Sequence, residues 1–167
     1  MMKKLIIDAL NEQIQKEGYS SNLYLSMASW AETEGYDGIT QWLYAQADEE
    51  KMHMLKIIGF VNERGGKAII PAFEQPPTEW KSIHEMFEQV LEHEKYITKS
   101  IHSIIPIIEK EKDYAALKWI QWFVDEQMEE EASVQAIIDK LKLVGDKNLY
   151  MFDRDIMGMR AKGSEEA

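Results

Sequence analysis

The chain of 167 residues contains no cysteine and only four prolines. The lack of cysteine excludes disulfides, iron–sulfur clusters, thiolate zinc sites and thiol nucleophiles, so any bound metal must use oxygen and imidazole ligands. Basic residues are also in the minority, at 19 against 30 acidic residues, and the net charge of −11 argues against a nucleic-acid partner. No apolar run reaches the length of a membrane span or a signal-peptide core. A cytoplasmic protein without a membrane partner is therefore the expectation.

Glycine and proline divide the chain into four long segments with apolar residues at helical spacing. We expect helices over about 4–33 and 39–63, a third that begins near Thr78 and is kinked or frayed near Pro106, and a fourth over about 114–143. A long proline-bearing link separates the second helix from the third, whereas short turns join the other pairs. This pattern predicts an all-α four-helix bundle with one long crossover.

A single domain should occupy residues 1–167. The bundle is expected over about 4–143, followed by a short fifth helix over about 147–160 and a polar tail over 161–167.

Each predicted helix has an apolar stripe that polar side chains interrupt near its middle. The interrupting residues are Glu17 in the first helix, Glu50 and His53 in the second, Glu94 in the third, and Gln127 and Glu130 in the fourth. Residues three apart share a helical face, so Glu50 and His53 point the same way. Because the helix midpoints lie at similar heights, we expect all of these side chains at one level of the core.

Four carboxylates inside an apolar bundle need a compensating charge, because burial of one unpaired charge costs several kcal/mol. No lysine or arginine falls on the stripes at that level. Divalent cations are the predicted counter-charge, and an oxygen-rich set with one imidazole favours iron or manganese, with zinc as a substitute. A lone glutamate on an apolar stripe is more often a side chain that reaches solvent, but the same interruption in four helices indicates a metal site.

These residues resemble those of the ferritin family, specifically its haem-free bacterial type. The motif that carries the resemblance is Glu50-x-x-His53, preceded by Glu17 and followed by Glu94 and Gln127-x-x-Glu130. The resemblance covers nearly the whole chain and implies a ferritin-like bundle. It implies that Glu17 and His53 bind one iron of a di-iron site. Glu94 and Glu130 would bind the other iron, and Glu50 would bridge the two.

Further residues gain a role only through this resemblance. Gln127 would be a hydrogen-bonding or weak ligand. Tyr24 resembles the family tyrosine that touches the bridging carboxylate, and an electron-donating role and a plain core tyrosine are equal alternatives for it. Trp122 matches a family aromatic near the centre and is expected to pack there. A possible third iron site, toward the cavity, would use Glu49, Glu126 and Glu129 together with Glu130, and a solvated acidic face is the alternative.

The departures from related families are informative. A bacterioferritin would carry a second Glu-x-x-His motif, and its haem-ligating methionine would directly follow the bridging glutamate. Here Lys51 stands in that position and Met52 comes one residue later, so no haem is expected. His84, His93 and His102 match no ligand position and are expected at the surface.

The resemblance implies a function in iron storage and detoxification. The subunit would act as a ferroxidase that oxidises Fe(II) to Fe(III) with O2, and the ferric mineral would collect inside a homo-oligomeric shell of 24 subunits. The fifth helix would pack near the four-fold axes. Two alternatives remain open: a di-iron oxidase or oxygenase that acts on an organic substrate, and a non-catalytic shell subunit.

Overall fold

The computed structural model describes residues 1–160, so the predicted tail over 161–167 lies outside the described residues. Its α-helices are α1 (Lys4–Thr33), α2 (Asp37–Glu63), α3 (Ile83–Lys110), α4 (Tyr114–Val144) and α5 (Leu149–Asp155). Short 3-10 turns flank α5 at Asp146–Asn148 and Ile156–Met159. The described residues form no β-strand. The predicted all-α bundle with a short fifth helix is confirmed.

The start of α3 differs from the prediction. The prediction that this helix begins near Thr78 is wrong, since its first helical residue is Ile83. Ser82 caps the helix by accepting a hydrogen bond from the Glu85 amide at 3.1 Å, and the Glu85 carboxylate accepts one from the Lys81 amide at 2.8 Å. This reciprocal arrangement satisfies amides at the helix start that would otherwise lack a partner.

The other helix ends lie close to their predicted positions. α2 begins at Asp37, two residues before the expected 39. α3 stays helical through Pro106 as far as Lys110, so the proline does not fray its end. Asp113 caps α4 by accepting from the Ala116 amide at 3.0 Å. The helix ends at Gly145, whose φ of 61° lies in the left-handed region that glycine tolerates best.

The link between α2 and α3, residues 64–82, runs along α1 from one end to the other. Near the start of α1, Asn11 donates a hydrogen bond to a carbonyl of the link at 3.1 Å, and near its end Ser26 donates to another at 2.6 Å. Between them Phe73 lies against Gly18, where an added Cβ would come within 2.4 Å of the ring. The link therefore crosses the bundle lengthwise, which makes α2 and α3 parallel within two antiparallel hairpins.

Two apolar clusters fill the bundle on either side of a polar layer. One lies at the end of the bundle where α1 meets α2, and the other lies at the opposite end. The C-terminal segment buries Phe152 and Ile156 in the first cluster. Asp153 fixes that segment by accepting from the Ile39 amide at 2.9 Å. Among residues 1–160 no helix has both the length and the apolar content needed to cross a membrane.

Candidate metal centre

The polar layer between the two apolar clusters contains all the side chains that interrupt the predicted stripes. Their exposed fractions are 0% for Glu17, Glu50 and Glu94, 2% for His53 and Gln127, and 6% for Glu130. The four long helices each contribute at least one of them. Buried carboxylates in such numbers are costly unless something compensates their charge.

Glu17, Glu50 and His53 form the first compact group, with ligand atoms that all lie within 4.8 Å of one another. His53 Nδ1 is 3.2 Å from Glu50 Oε2 and 3.9 Å from Glu17 Oε2. Within the described chain, Glu17 Oε2 and Glu50 Oε1 are buried and have no hydrogen-bond partner. Buried polar atoms normally find a partner, so two such oxygens in a group that includes an imidazole fit the ligand set of a divalent cation.

Glu17 is held by a residue that the sequence analysis missed. Gln13 donates to Glu17 Oε1 at 2.8 Å and accepts from the Ser100 hydroxyl at 2.6 Å. Lys16 in turn donates to Ser100 at 2.7 Å. Gln13 lies four residues before Glu17 on the same helical face, so its position was readable from the helical period. The arrangement fixes one oxygen of Glu17 and leaves the other directed at the cluster.

Glu94 has a different environment, because both of its carboxylate oxygens accept hydrogen bonds. Tyr24 donates to one, and Gln127 donates to the other at 3.1 Å. Tyr24 was expected to touch the bridging carboxylate, Glu50, and its hydroxyl reaches across to α3 and bonds Glu94. Among residues 1–160 Glu94 and Glu130 do not belong to one metal-sized group.

A second compact group combines residues from both predicted sites. Glu49, His53, Glu126 and Glu130 have ligand atoms within 4.8 Å of one another. His53 Nε2 lies 3.7 Å from Glu126 Oε1, so the imidazole faces this group with one nitrogen and the first group with the other. Glu129 is exposed and lines the cleft beside the group without belonging to it.

Two residues outside the predicted set connect to this second group. Arg160 donates to Glu49 at 2.9 Å and to the Gln46 side chain at 3.2 Å. Gln46 in turn donates to Glu130 at 2.9 Å. Gln46 lies one turn before Glu50, a spacing that the sequence shows. Arg160 comes from beyond the bundle, and no periodicity relates it to the site.

The electrostatics of the layer follow from burial and crowding. Burial raises the pKa of Glu50 and Glu130 well above the ordinary carboxyl range, and the nearby Glu94 raises both further. Burial also raises the pKa of Glu94 itself, against the hydrogen bonds it accepts. Burial disfavours the charged His53 ring, but the surrounding carboxylates, Glu50 foremost, outweigh it and raise its pKa well above the usual value. A cation placed here would relieve this repulsion.

Aromatic and histidine side chains complete the surroundings. Trp122 packs edge-on against His53 with ring centroids 5.4 Å apart. His102 is exposed as expected, and the His84 side chain is 31% exposed at the surface. His93 is partly buried, so the surface prediction is wrong for this residue. His93 lies between α1 and α3 with Nε2 2.7 Å from the Ser20 hydroxyl, and burial lowers its pKa to about 4.

A four-helix bundle with one long crossover and a carboxylate–histidine cluster at mid-height defines the class of ferritin-like bundle proteins. The family model for the ferritin-like domain matches residues 7–144. A probable bacterial non-heme ferritin-like protein of Haemophilus influenzae is 40% identical over 97% of this chain and 99% of its own length. The bacterial non-heme ferritin of Campylobacter jejuni is 42% identical over 93% of this chain and 95% of its own. The chain belongs to the ferritin family.

Solved structures agree with the sequence relatives. An open pore ferritin from the archaeon Archaeoglobus fulgidus superposes with a TM-score of 0.91 at 43% identity, and the match covers 93% of this chain and 98% of that one. A humanized archaeal ferritin also gives a TM-score of 0.91, at 40% identity, over 93% and 96% of the two chains.

Proposed function

We propose that this protein stores iron and that it oxidises Fe(II) with O2 at the buried cluster around Glu50 and His53. The observation that carries the proposal is a pair of buried oxygens, Glu17 Oε2 and Glu50 Oε1, that find no partner within residues 1–160. They belong to the compact group that also contains His53, whose Nδ1 lies 3.9 Å from Glu17 Oε2. The relatives named as bacterial non-heme ferritins support the same assignment.

The first Fe(II) is proposed to bind between Glu17 and His53. Gln13 fixes one oxygen of Glu17 and so directs the other at the ion. His53 offers Nδ1 on the side that faces Glu17 and Glu50. Glu50 has one oxygen beside His53 and a second oxygen beyond it, which suits a carboxylate that bridges two ions.

The second Fe(II) is proposed to bind between Glu94 and Glu130, with Glu50 as the shared ligand. Both carboxylates are held by neutral donors, Tyr24 and Gln127 on Glu94 and Gln46 on Glu130. A carboxylate oxygen can accept such a bond and still ligate a metal through its remaining lone pair. With no imidazole of its own, this position should hold iron more weakly than the first. Very tight and equal affinities for both ions would argue against that asymmetry.

The proposed ferroxidase chemistry balances with iron and oxygen alone. Two Fe(II) ions release two electrons, which reduce one O2 to hydrogen peroxide when two protons are added. Hard carboxylate ligands favour Fe(III) over Fe(II) and so promote the oxidation. Iron and O2 are both substrates here, and the ferric product leaves as mineral.

A third metal position is proposed at Glu49, Glu126 and Glu130, with Glu129 at its exposed rim. Their grouping within 4.8 Å, with His53, supports this position, which lies on the side of the cluster toward the cleft. Its proposed role is to pass iron between the buried cluster and the shell interior. No haem enters the proposal, because Lys51 follows Glu50 where a haem-ligating methionine would be expected.

Storage requires an enclosed cavity that one bundle does not have. We therefore propose a homo-oligomeric shell of 24 subunits, and a cytoplasmic location stays a prediction from the sequence. A shell of 24 subunits of 19.5 kDa would have a mass of about 470 kDa, which light scattering after size exclusion measures.

The function is tested by adding Fe(II) aerobically to the purified protein and following the amber Fe(III) absorbance. The wild type should oxidise iron well above the buffer rate, and Glu50→Ala should abolish most of that excess. Glu92→Gln, an exposed change two residues from Glu94, is the matched control and should match the wild type. An oxygenase would elute as a small species. A non-catalytic shell would elute large but oxidise iron no faster than buffer, and either result would overturn the proposal.

A further inference from the structure

Arg160 brings a permanent positive charge to the edge of the metal cluster. Its guanidinium donates to Glu49 Oε2 at 2.9 Å, and the two side chains are only 20% and 13% exposed. It also donates a hydrogen bond to the Gln46 side chain, and Gln46 donates one to Glu130. One guanidinium thus connects, directly or through one amide, to two of the carboxylates of the proposed third metal position.

The fold holds Arg160 at this place. The segment over residues 149–160, which carries Arg160, is anchored by Phe152 and Ile156, which are 3% and 0% exposed within the core. Gly38 permits this close packing, since a Cβ there would lie 1.8 Å from the Asp153 carbonyl oxygen. Packing of this segment against the bundle therefore holds the guanidinium beside Glu49.

We infer that Arg160 is a built-in competitor for the third metal position: it neutralises Glu49 while that position is empty and weakens the binding of a divalent cation there. The inference rests on the proposed function, because it requires the third position to exist. Its consequence is that iron at this position is held loosely enough to move on.

The sign of the effect follows from charge. An arginine side chain cannot shed its proton in a protein, so its charge persists when a metal arrives. A cation shared by Glu49, Glu126 and Glu130 would lie within several Å of the guanidinium, where like charges repel strongly in a partly buried setting. Removal of the charge should therefore tighten binding.

The test is a calorimetric titration of the metal-free, assembled protein with Zn2+. Arg160→Gln removes the charge, Arg160→Lys keeps it, and Arg154→Gln is the matched control, because Arg154 lies in the same segment and pairs only with the adjacent Asp155 in the described structure. We expect the third class of sites to bind about tenfold more tightly in Arg160→Gln. That class should stay within about twofold of wild type in the other two variants, and the first ion, at Glu17 and His53, should bind unchanged throughout.

The possible outcomes are distinct. If Arg160→Gln leaves the third class unchanged or weaker, Arg160 does not compete and the inference is overturned while the third position stands. If no variant binds a third ion, the third position fails and the inference fails with it. If the first two ions are also missing in the wild type, the proposed di-iron centre itself is refuted. A crystal of the wild type soaked in Zn2+ needs no variant, and should show the guanidinium displaced from Glu49.

Discussion

The hydroxyl of Tyr24 on α1 donates a hydrogen bond to Glu94 on α3, across the centre of the bundle. Gln127 on α4 holds the other oxygen of the same carboxylate at 3.1 Å. Glu17 and Glu50, by contrast, each keep an oxygen that no described residue bonds. The two sides of the cluster therefore differ. Near His53, carboxylate oxygens have no hydrogen-bond partner, whereas the Glu94 carboxylate is oriented by two neutral donors.

Replacement of Tyr24 by phenylalanine should weaken the second metal position selectively. The change removes one donor from Glu94 and leaves the groups around His53 intact. Loss of one such hydrogen bond is worth about 1 kcal/mol, or roughly fivefold in affinity. In a Zn2+ titration of metal-free protein, the second ion should bind about fivefold more weakly and the first should be unchanged. Tyr114→Phe, at an exposed tyrosine, is the control. Equal weakening of both ions would contradict the distinct roles of the two sides.

The metal-free protein should lose stability as pH rises from 6 to 8. The pKa of Glu50 and of Glu130 is raised by burial, and that of His53 is raised by its carboxylate neighbours, so the folded state binds more protons than the unfolded chain in this range. The free energy of unfolding is therefore larger at pH 6 than at pH 8, and it declines as these groups deprotonate. Calorimetric Tm values at several pH values measure the slope.

Glu50→Gln supplies the matched comparison for that pH dependence. The variant cannot acquire the buried charge, so its metal-free Tm should depend less on pH. At pH 8 it should be more stable than the wild type by about 1–3 kcal/mol per subunit. Zn2+ should raise the Tm of the wild type much more than that of Glu50→Gln. If the metal-free wild type is as stable at pH 8 as the variant, burial of the Glu50 carboxylate among its neighbours does not destabilise the folded state.

Two glycines of α2 should respond in opposite ways to alanine. At Gly38 an added Cβ would meet the Asp153 backbone at 1.8 Å, so Gly38→Ala must push the C-terminal segment away from the bundle. At Gly59 the described residues leave open space around the Cβ position. We expect Gly38→Ala to lower the Tm and Gly59→Ala to be neutral or stabilising by up to about 1 kcal/mol.

Metal binding gives a second readout of the Gly38 change. Displacement of the segment carries Arg160 away from Glu49, so the third class of Zn2+ sites should tighten in Gly38→Ala as it does in Arg160→Gln. A stable Gly38→Ala protein that binds zinc as the wild type does would show that the position of the segment does not affect metal binding.

The sequence predicts those parts of the site in which the helical period determines which side chains share a face. Glu50 and His53 are three residues apart on an apolar stripe, and their burial on one face follows from that spacing. Gln13 and Gln46 lie one turn before Glu17 and Glu50, so the same reasoning could have found them. These residues are predictable because a straight helix fixes which side chains share a face.

Other features depend on tertiary packing that no local pattern records. Threonine and serine both favour N-cap positions, so Thr78 and Ser82 are equally good candidates from the sequence. Ser82 caps α3 in the structure, where Glu85 completes the cap and Trp80 packs on Trp30 with ring centroids 5.6 Å apart. The position of Arg160 depends on where the C-terminal segment docks. The partner of Tyr24 depends on the distance between α1 and α3.

The most direct test of the account is anomalous diffraction at the iron edge from crystals soaked anaerobically in a ferrous salt. A di-iron centre should give iron peaks inside the bundle, one within coordination distance of Glu17, His53 and Glu50 and a second between Glu50, Glu94 and Glu130. A fully soaked crystal with iron only on the outer surface, and with Glu17 and Glu50 in the positions described here, would contradict it.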